Sequence, residues 1–174
     1  MLFLNDFLGS AQRAIQALIL ACVCAAATAA AAAQSLPPAS DLEAAARMAH
    51  EQRVPVFVAF TLKTCSFCNT ARRDYWEPMR ISEQWRDKAI MLELQLDGPP
   101  PLRDFAGNAT TAREFARKFS VRSVPTVIVF DDKGKPAALP LVGLSSVDFY
   151  GLYLEQAIEA GLMQMRYPQA APRQ

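Results

Sequence analysis

The chain has 174 residues, 52% of them apolar, with 18 basic side chains against 17 acidic ones. That suffices for one domain with a real core and is too short for two comfortable ones. Near-neutral charge without a basic run or an aromatic-interleaved basic patch excludes nucleic acid as a partner, and seven scattered glycines make no phosphate-cradling loop.

From Ala14 to Ala33 the chain is uncharged and rich in Ala, Leu, Ile, Val and Cys, with Arg13 ahead of it and Gln34, Ser35 and Pro37-Pro38 after it. That is the layout of an export signal, so residues 1–33 are read as a signal peptide, cut after Ala31-Ala32-Ala33. An uncleaved anchor is the alternative, because about twenty apolar residues can just span a bilayer. Ile19-Leu20-Ala21-Cys22 also resembles a lipobox loosely. Cleavage removes Cys22 and Cys24, leaving Cys65 and Cys68 in a periplasmic or otherwise exported setting where disulfides form and persist.

Residues 34–40 read as a linker, residues 41–164 as the folded domain and residues 165–174 as a disordered tail. Asp41 can cap a helix running through Glu51, with Leu42, Ala45, Ala46, Met48 and Ala49 on its apolar side. His50 near its end is expected to be solvated and favoured by the helix dipole. Pro55 starts a strand, Val56 to Phe60, whose unbroken apolar character suits a central position covered on both faces. That strand delivers Cys65 to the C-terminal edge of the sheet. A helix opened by Cys65 continues through Asn69, Ala71 and Tyr75 to Trp76, and Pro78 is expected to kink or end it.

The pair Cys65-Ser66-Phe67-Cys68 carries the chemistry. At a helix N-terminus, unpaired N–H groups and the macrodipole favour negative charge on the first sulfur. Thiolate is the species that attacks disulfides. Cys68, three residues on, shares the helical face and can close onto Cys65. Cys65 is therefore assigned the attack and Cys68 the resolution. A zinc site would want four Cys or His ligands, and only His50 is available beside the pair. Haem attachment would need His after Cys68, where Asn69 stands. An inert staple would close too short a loop to add much stability. No metal and no cofactor are expected.

Beyond this, Ile81 to Lys88 is expected to add a turn or two of helix, and Met91 to Asp97 alternates as a strand, with Leu92, Leu94 and Leu96 on one face and Glu93 and Gln95 on the other. Gly98 and Pro99 to Pro101 open a loop reaching Asn108. Thr111-Ala112-Arg113-Glu114 is a capping-box pattern before an amphipathic helix bearing Ala112, Phe115, Ala116 and Phe119. Ser123-Val124-Pro125 precedes a strong strand, Thr126 to Phe130; Asp131 to Gly134 turns into an edge strand near Ala137 to Val142, marked as an edge by Pro140. Ser145 or Ser146 should cap a last helix through about Gln164.

This order, with the Cys pair after an apolar strand, Val121-Arg122-Ser123-Val124-Pro125-Thr126 before the next, and Phe130-Asp131-Asp132-Lys133-Gly134-Lys135 followed by Gly143, resembles the thioredoxin superfamily over roughly Asp41 to Leu162. The resemblance implies an α/β thioredoxin-like fold, a mixed sheet of four to five strands flanked by helices. It implies a cis bond at Val124–Pro125 facing the disulfide. Ser66, Phe67, Val124, Thr126 and Glu93 then support the catalytic Cys65 and Cys68. Proline presents no N–H to compete with the thiolate, and the Val124 backbone is left to pair with a substrate as an added strand. The aspartate often found six residues before the first Cys is Ala59 here, and the tryptophan often found just before it is Thr64. Glu93 could take the Cys68 proton in that aspartate's stead, or could be an ordinary strand glutamate, solvated or salt-bridged. The Gly98–Asn108 loop is similar to that of exported reductases, including those found with sulfur-oxidation systems. The activity implied is a thiol–disulfide oxidoreductase acting as a reductase on protein disulfides or thiols and re-reduced by a membrane thiol-electron carrier. A net disulfide oxidase, or a non-catalytic binding or maturation factor, are the alternatives.

Overall fold

The structure, a computed structural model, describes residues 36–99, 101–144 and 147–167. The expected signal at 1–33, the expected cap at Ser145 or Ser146 and the end of the expected tail lie outside the described residues.

Asp41 caps helix α1, Leu42–Gln52, accepting the Ala44 N–H at 2.8 Å. Its small apolar residues Ala45 and Ala49 and the larger Leu42 are buried against the sheet. Strand β1, Val56–Thr61, is buried along its whole length. Parallel to it lies β2, Ile90–Gln95, in a register that sets Ala59 beside Glu93. On its other side runs antiparallel β5, Thr126–Phe130, with Phe60 opposite Thr126, and β5 in turn pairs with the short β6, Leu141–Val142. The four-stranded order is thus β2-β1-β5-β6. A separate hairpin, β3 at Leu102–Arg103 and β4 at Ala109–Thr110, lies within and just after the expected loop.

Alternation along β1 assigns the two faces. Val56, Val58 and Phe60 pack with α1 and with α4, Ala112–Lys118, through Leu42, Phe115 and Phe130. Phe57 and Ala59 pack on the opposite face with Trp76, Met91 and residues Leu154 and Ile158 of the last helix, α5, Val147–Arg166. Leu92, Leu94 and Leu96 point to the α1 and α4 side, as their spacing predicts. The capping box of α4 is complete: Thr111 Oγ1 accepts the Glu114 N–H, and the Glu114 carboxylate accepts the Thr111 N–H.

The structure corrects several expectations. Of the kink or end expected at Pro78, the end does not occur: α2, Ser66–Ala71, widens into a π-helical turn, Arg72–Trp76, and resumes as α3, Glu77–Ile81. Proline lacks the N–H that α-helical bonding needs and its ring crowds the carbonyl four residues back. The wide turn, in which the Glu77 N–H reaches Arg72 O, makes room for it in the first turn of α3. Residues after Ile81 form hydrogen-bonded turns rather than a helix, with Ser82 Oγ taking the Trp85 N–H. Of the expected linker, Leu36 and Ala39 are buried, and Ala39 N–H and Glu93 N–H bond Glu93 O and Pro37 O, so this segment lies along the outer edge of β2. The edge strand shrinks to β6 because Pro136 and Pro140 offer no N–H, although Ala137 N–H still donates to Val129 O. Met165 and Arg166, expected in the tail, complete α5.

Candidate active site

Strand β1 ends at Thr61, and the chain turns through Leu62 to Thr64 into α2. Cys65 is the N-cap of that helix, in extended backbone conformation, and its Sγ accepts the Cys68 N–H at 3.1 Å. Cys65 and Cys68 form a disulfide, with Cα atoms 5.2 Å apart. The two sulfurs differ in access. Cys68 is fully buried, whereas Cys65 is half-exposed, and Ser66 and Phe67 between them are exposed, Phe67 by 65%. Helical spacing causes this: Cys68 and Ala71 fall on the face turned to the sheet, Ser66 and Phe67 on the other.

The Val124–Pro125 peptide bond is cis. Because β1 and β5 are antiparallel with Phe60 opposite Thr126, Pro125 sits at the same end of the sheet as Thr61 and the turn that leads to Cys65. Thr126 is buried and its hydroxyl donates to Ser123 O at 2.8 Å, tying the segment before the strand to its start. Gly143, in the left-handed region at φ 73°, donates its N–H to Pro125 O at 2.7 Å. Among the described residues nothing hydrogen-bonds the Val124 N–H or C=O. A short piece of backbone is therefore left available beside the cis proline.

Glu93 projects from β2 on the same face as Ala59, toward the helix that carries the Cys pair. Its carboxylate is ion-paired. Arg72 Nε donates to Oε2 at 3.0 Å and Nη2 to Oε1 at 2.5 Å, while Thr61 Oγ1 donates to Oε1 at 2.7 Å. The Glu93 hydrogen bonds raise the Arg72 guanidinium pKa against the lowering effect of burial, with further help from the nearby charges of Glu93 and Glu77. Of the two roles foreseen for Glu93, the arrangement is that of the salt-bridged strand glutamate. Arg72 itself was missed in the sequence reading. It lies four residues after Cys68 and so shares its helical face, and a glutamate in a strand flanked on both sides needs a cation; together those two signals could have found it.

His50, the sole histidine of the sequence, lies away from this constellation on α1, its Nδ1 2.6 Å from Asp132 Oδ2. Among the described residues no group of three or more His, Cys, Asp or Glu could hold a metal ion, and no helix is long and apolar enough to cross a membrane.

A family model described as a thioredoxin-like domain matches residues 42–158, more than half the chain. Among solved structures, mitochondrial thioredoxin 3 from Saccharomyces cerevisiae in its oxidized form is similar at 14% identity, with 71% of this chain and 93% of that chain covered and a TM-score of 0.48. Thioredoxin from Fasciola hepatica is similar at 15% identity, covering 72% of this chain and 99% of that one, TM-score 0.48. Thioredoxin from Malassezia sympodialis is similar at 18% identity, covering 62% of this chain and 75% of that one, TM-score 0.44. No curated protein matches.

Proposed function

On the premise that the chain belongs to the thioredoxin-like domain family and is a thiol–disulfide oxidoreductase, we propose that it works as a reductase of protein disulfides outside the cytoplasm, itself re-reduced by a membrane thiol-electron carrier. The observation that carries the reading is the unequal access of two sulfurs joined as a disulfide: Cys65 half-exposed at a helix N-cap, Cys68 buried three residues on.

In the reduced protein the Cys68 N–H, already aimed at Cys65 Sγ, favours thiolate at Cys65. That thiolate attacks one sulfur of a substrate disulfide; a mixed disulfide forms and the other substrate sulfur leaves as thiolate and takes up a proton. Cys68, deprotonated in turn, attacks Cys65 Sγ. The mixed disulfide breaks, the second substrate thiol is released, and two electrons have passed from the Cys pair to the substrate. Val124 can hold the substrate segment as an added strand during both steps, with Pro125 beside it offering no N–H.

Reduction rather than oxidation is supported by the element order, which among the described residues includes no inserted helical domain. Export is supported by the uncharged run Ala14 to Ala33 behind Arg13. With a dithiol recycling the enzyme, the full chain should reduce a protein disulfide catalytically. Cys65→Ser should abolish turnover, and full activity in that variant would refute the assignment. A redox titration of the pair fixes direction, since a potential near about −270 mV indicates a reductase and one near about −120 mV an oxidase.

A further inference from the structure

The sheet end that carries the disulfide also carries a groove of which the exchange steps use Val124 alone. It holds about 470 Å³ and lies between α4 and the C-terminal ends of β1 and β2. Leu62 after β1, Leu96 after β2, Ala116 of α4, and Val121 and Val124 on the segment leading to Pro125 give it an apolar floor. Arg113, Arg117 and Arg122 line it as well, all three exposed, and no carboxylate does.

The acidic groups nearby in the chain are committed elsewhere. Glu114 closes the capping box on Thr111. Asp104 holds Lys118 Nζ at 3.2 Å, and Asp97 accepts the Lys63 N–H. Arg117 is partly compensated: its charge helps hold the Glu114 carboxyl below its usual range, behind the larger effects of the Thr111 hydroxyl and N–H, and its Nε donates to Arg113 O at 3.4 Å. Among the described residues, the guanidinium groups of Arg113 and Arg122 have neither an ion pair nor a hydrogen bond. Like charges gathered around an apolar floor and left uncompensated are complementary to an anionic chain segment that also brings an apolar side chain. The extent of the floor favours a peptide over a small inorganic anion. Val124 belongs both to this groove and to the open backbone beside Pro125, so a segment paired with Val124 enters the groove within a few residues.

We infer that this groove selects the substrate: it receives an acidic stretch, carrying one apolar side chain, a few residues from the cysteine under attack. The inference rests on the reading of Cys65–Cys68 as exchanging with protein disulfides. It makes Arg113, Arg117 and Arg122 determinants of specificity, not of chemistry.

The test uses two fluorescent peptides with the same apolar residue, flanked in one by three glutamates and in the other by three glutamines, with serine in place of cysteine so that no exchange contributes. Binding to the full chain is followed by anisotropy. The acidic peptide should bind about tenfold tighter at low salt, and raising the salt should remove most of that advantage. Arg113→Gln, Arg117→Gln and Arg122→Gln together should abolish the preference. Arg122→Gln alone, in a loop where folding is least at risk, should lower it by about threefold. Equal binding of the two peptides by the unaltered protein, or an undiminished preference in both variants, overturns the inference. Cysteine-containing versions with a mixed disulfide separate the two readings: acidic-peptide binding without any reduction refutes exchange and keeps the groove, whereas equal binding with reduction of both peptides refutes the groove and keeps exchange.

Discussion

At the scale of single residues, polar groups are placed where the core would otherwise leave them unpaired. Trp76 is fully buried, and its Nε1–H donates to the hydroxyl of Tyr150, also buried, at 3.2 Å. Burial pushes the Tyr150 phenol up to about 12, against a smaller lowering by the Trp76 hydrogen bond. A raised folded value means that the neutral form is favoured: this contribution to stability is whole below the ordinary value of 10.0 and is lost as pH rises through about 12. Absorbance titration should show the Tyr150 ionisation displaced upward in the folded protein and the displacement lost in urea. Tyr150→Phe leaves the indole N–H without an acceptor and should cost about 1–3 kcal/mol in urea denaturation. Asp104 has the opposite sign. Burial alone would raise its carboxyl, but the Asn108 N–H, the Lys118 ammonium and the Ala106 N–H outweigh it and hold the carboxyl below its ordinary 3.8. Its contribution is therefore complete above that value and fades as pH falls through the lower folded one. Asp104→Asn should flatten the acid limb of a stability–pH profile as pH falls below the ordinary 3.8, leaving the alkaline limb unchanged.

At the scale of elements, the fit of α5 against the sheet depends on one small residue. A Cβ on Gly161 would lie 2.6 Å from Pro55 Cβ and 3.0 Å from Val129 Cγ1. Helix propensity alone would make Gly161→Ala stabilising by about 1 kcal/mol. The crowding against a proline ring and the end of the central sheet should reverse the sign and cost about 1–3 kcal/mol, measurable as a lowered urea midpoint. Elements of this kind were legible in the sequence where their cause is local. The unbroken apolar run of β1, the Asp41 cap, the Thr111–Glu114 capping box and the Cys65-to-Cys68 spacing each announce themselves within a few residues. What was not legible depends on partners distant in the chain. Arg72 meets Glu93 only because β1 and β2 are parallel in a register that places Glu93 beside Ala59. The π-helical turn escaped because Pro78, taken by itself, reads as a kink or a stop, and only the packing of Trp76 and Met79 into the core shows why the helix carries on. Glu93→Ala should cost about 2–3 kcal/mol by leaving Arg72 without its counter-charge. Restored stability in Arg72→Met, Glu93→Leu would identify the pair as structural.

At the scale of the whole molecule, β1 and β5 form a fully buried centre, and the two faces of the sheet carry different duties. One face, packed with Phe60, Phe115 and Phe130, meets α1 and α4; the other supports the helix that presents the disulfide. Cys65, Pro125 and the arginine-lined groove are thereby gathered at one end of a rigid sheet, and substrates of different sequence can be chosen by α4 without disturbing the sulfur chemistry of α2. The segment from Leu36 to Ala39, whose prolines suggested a mere connection, bonds along β2 instead, and its prolines turn outward no N–H of their own. A fragment begun at Asp41, as composition would recommend, would leave that flank bare for another chain to pair with, and should self-associate more than one begun at Leu36 in sedimentation experiments.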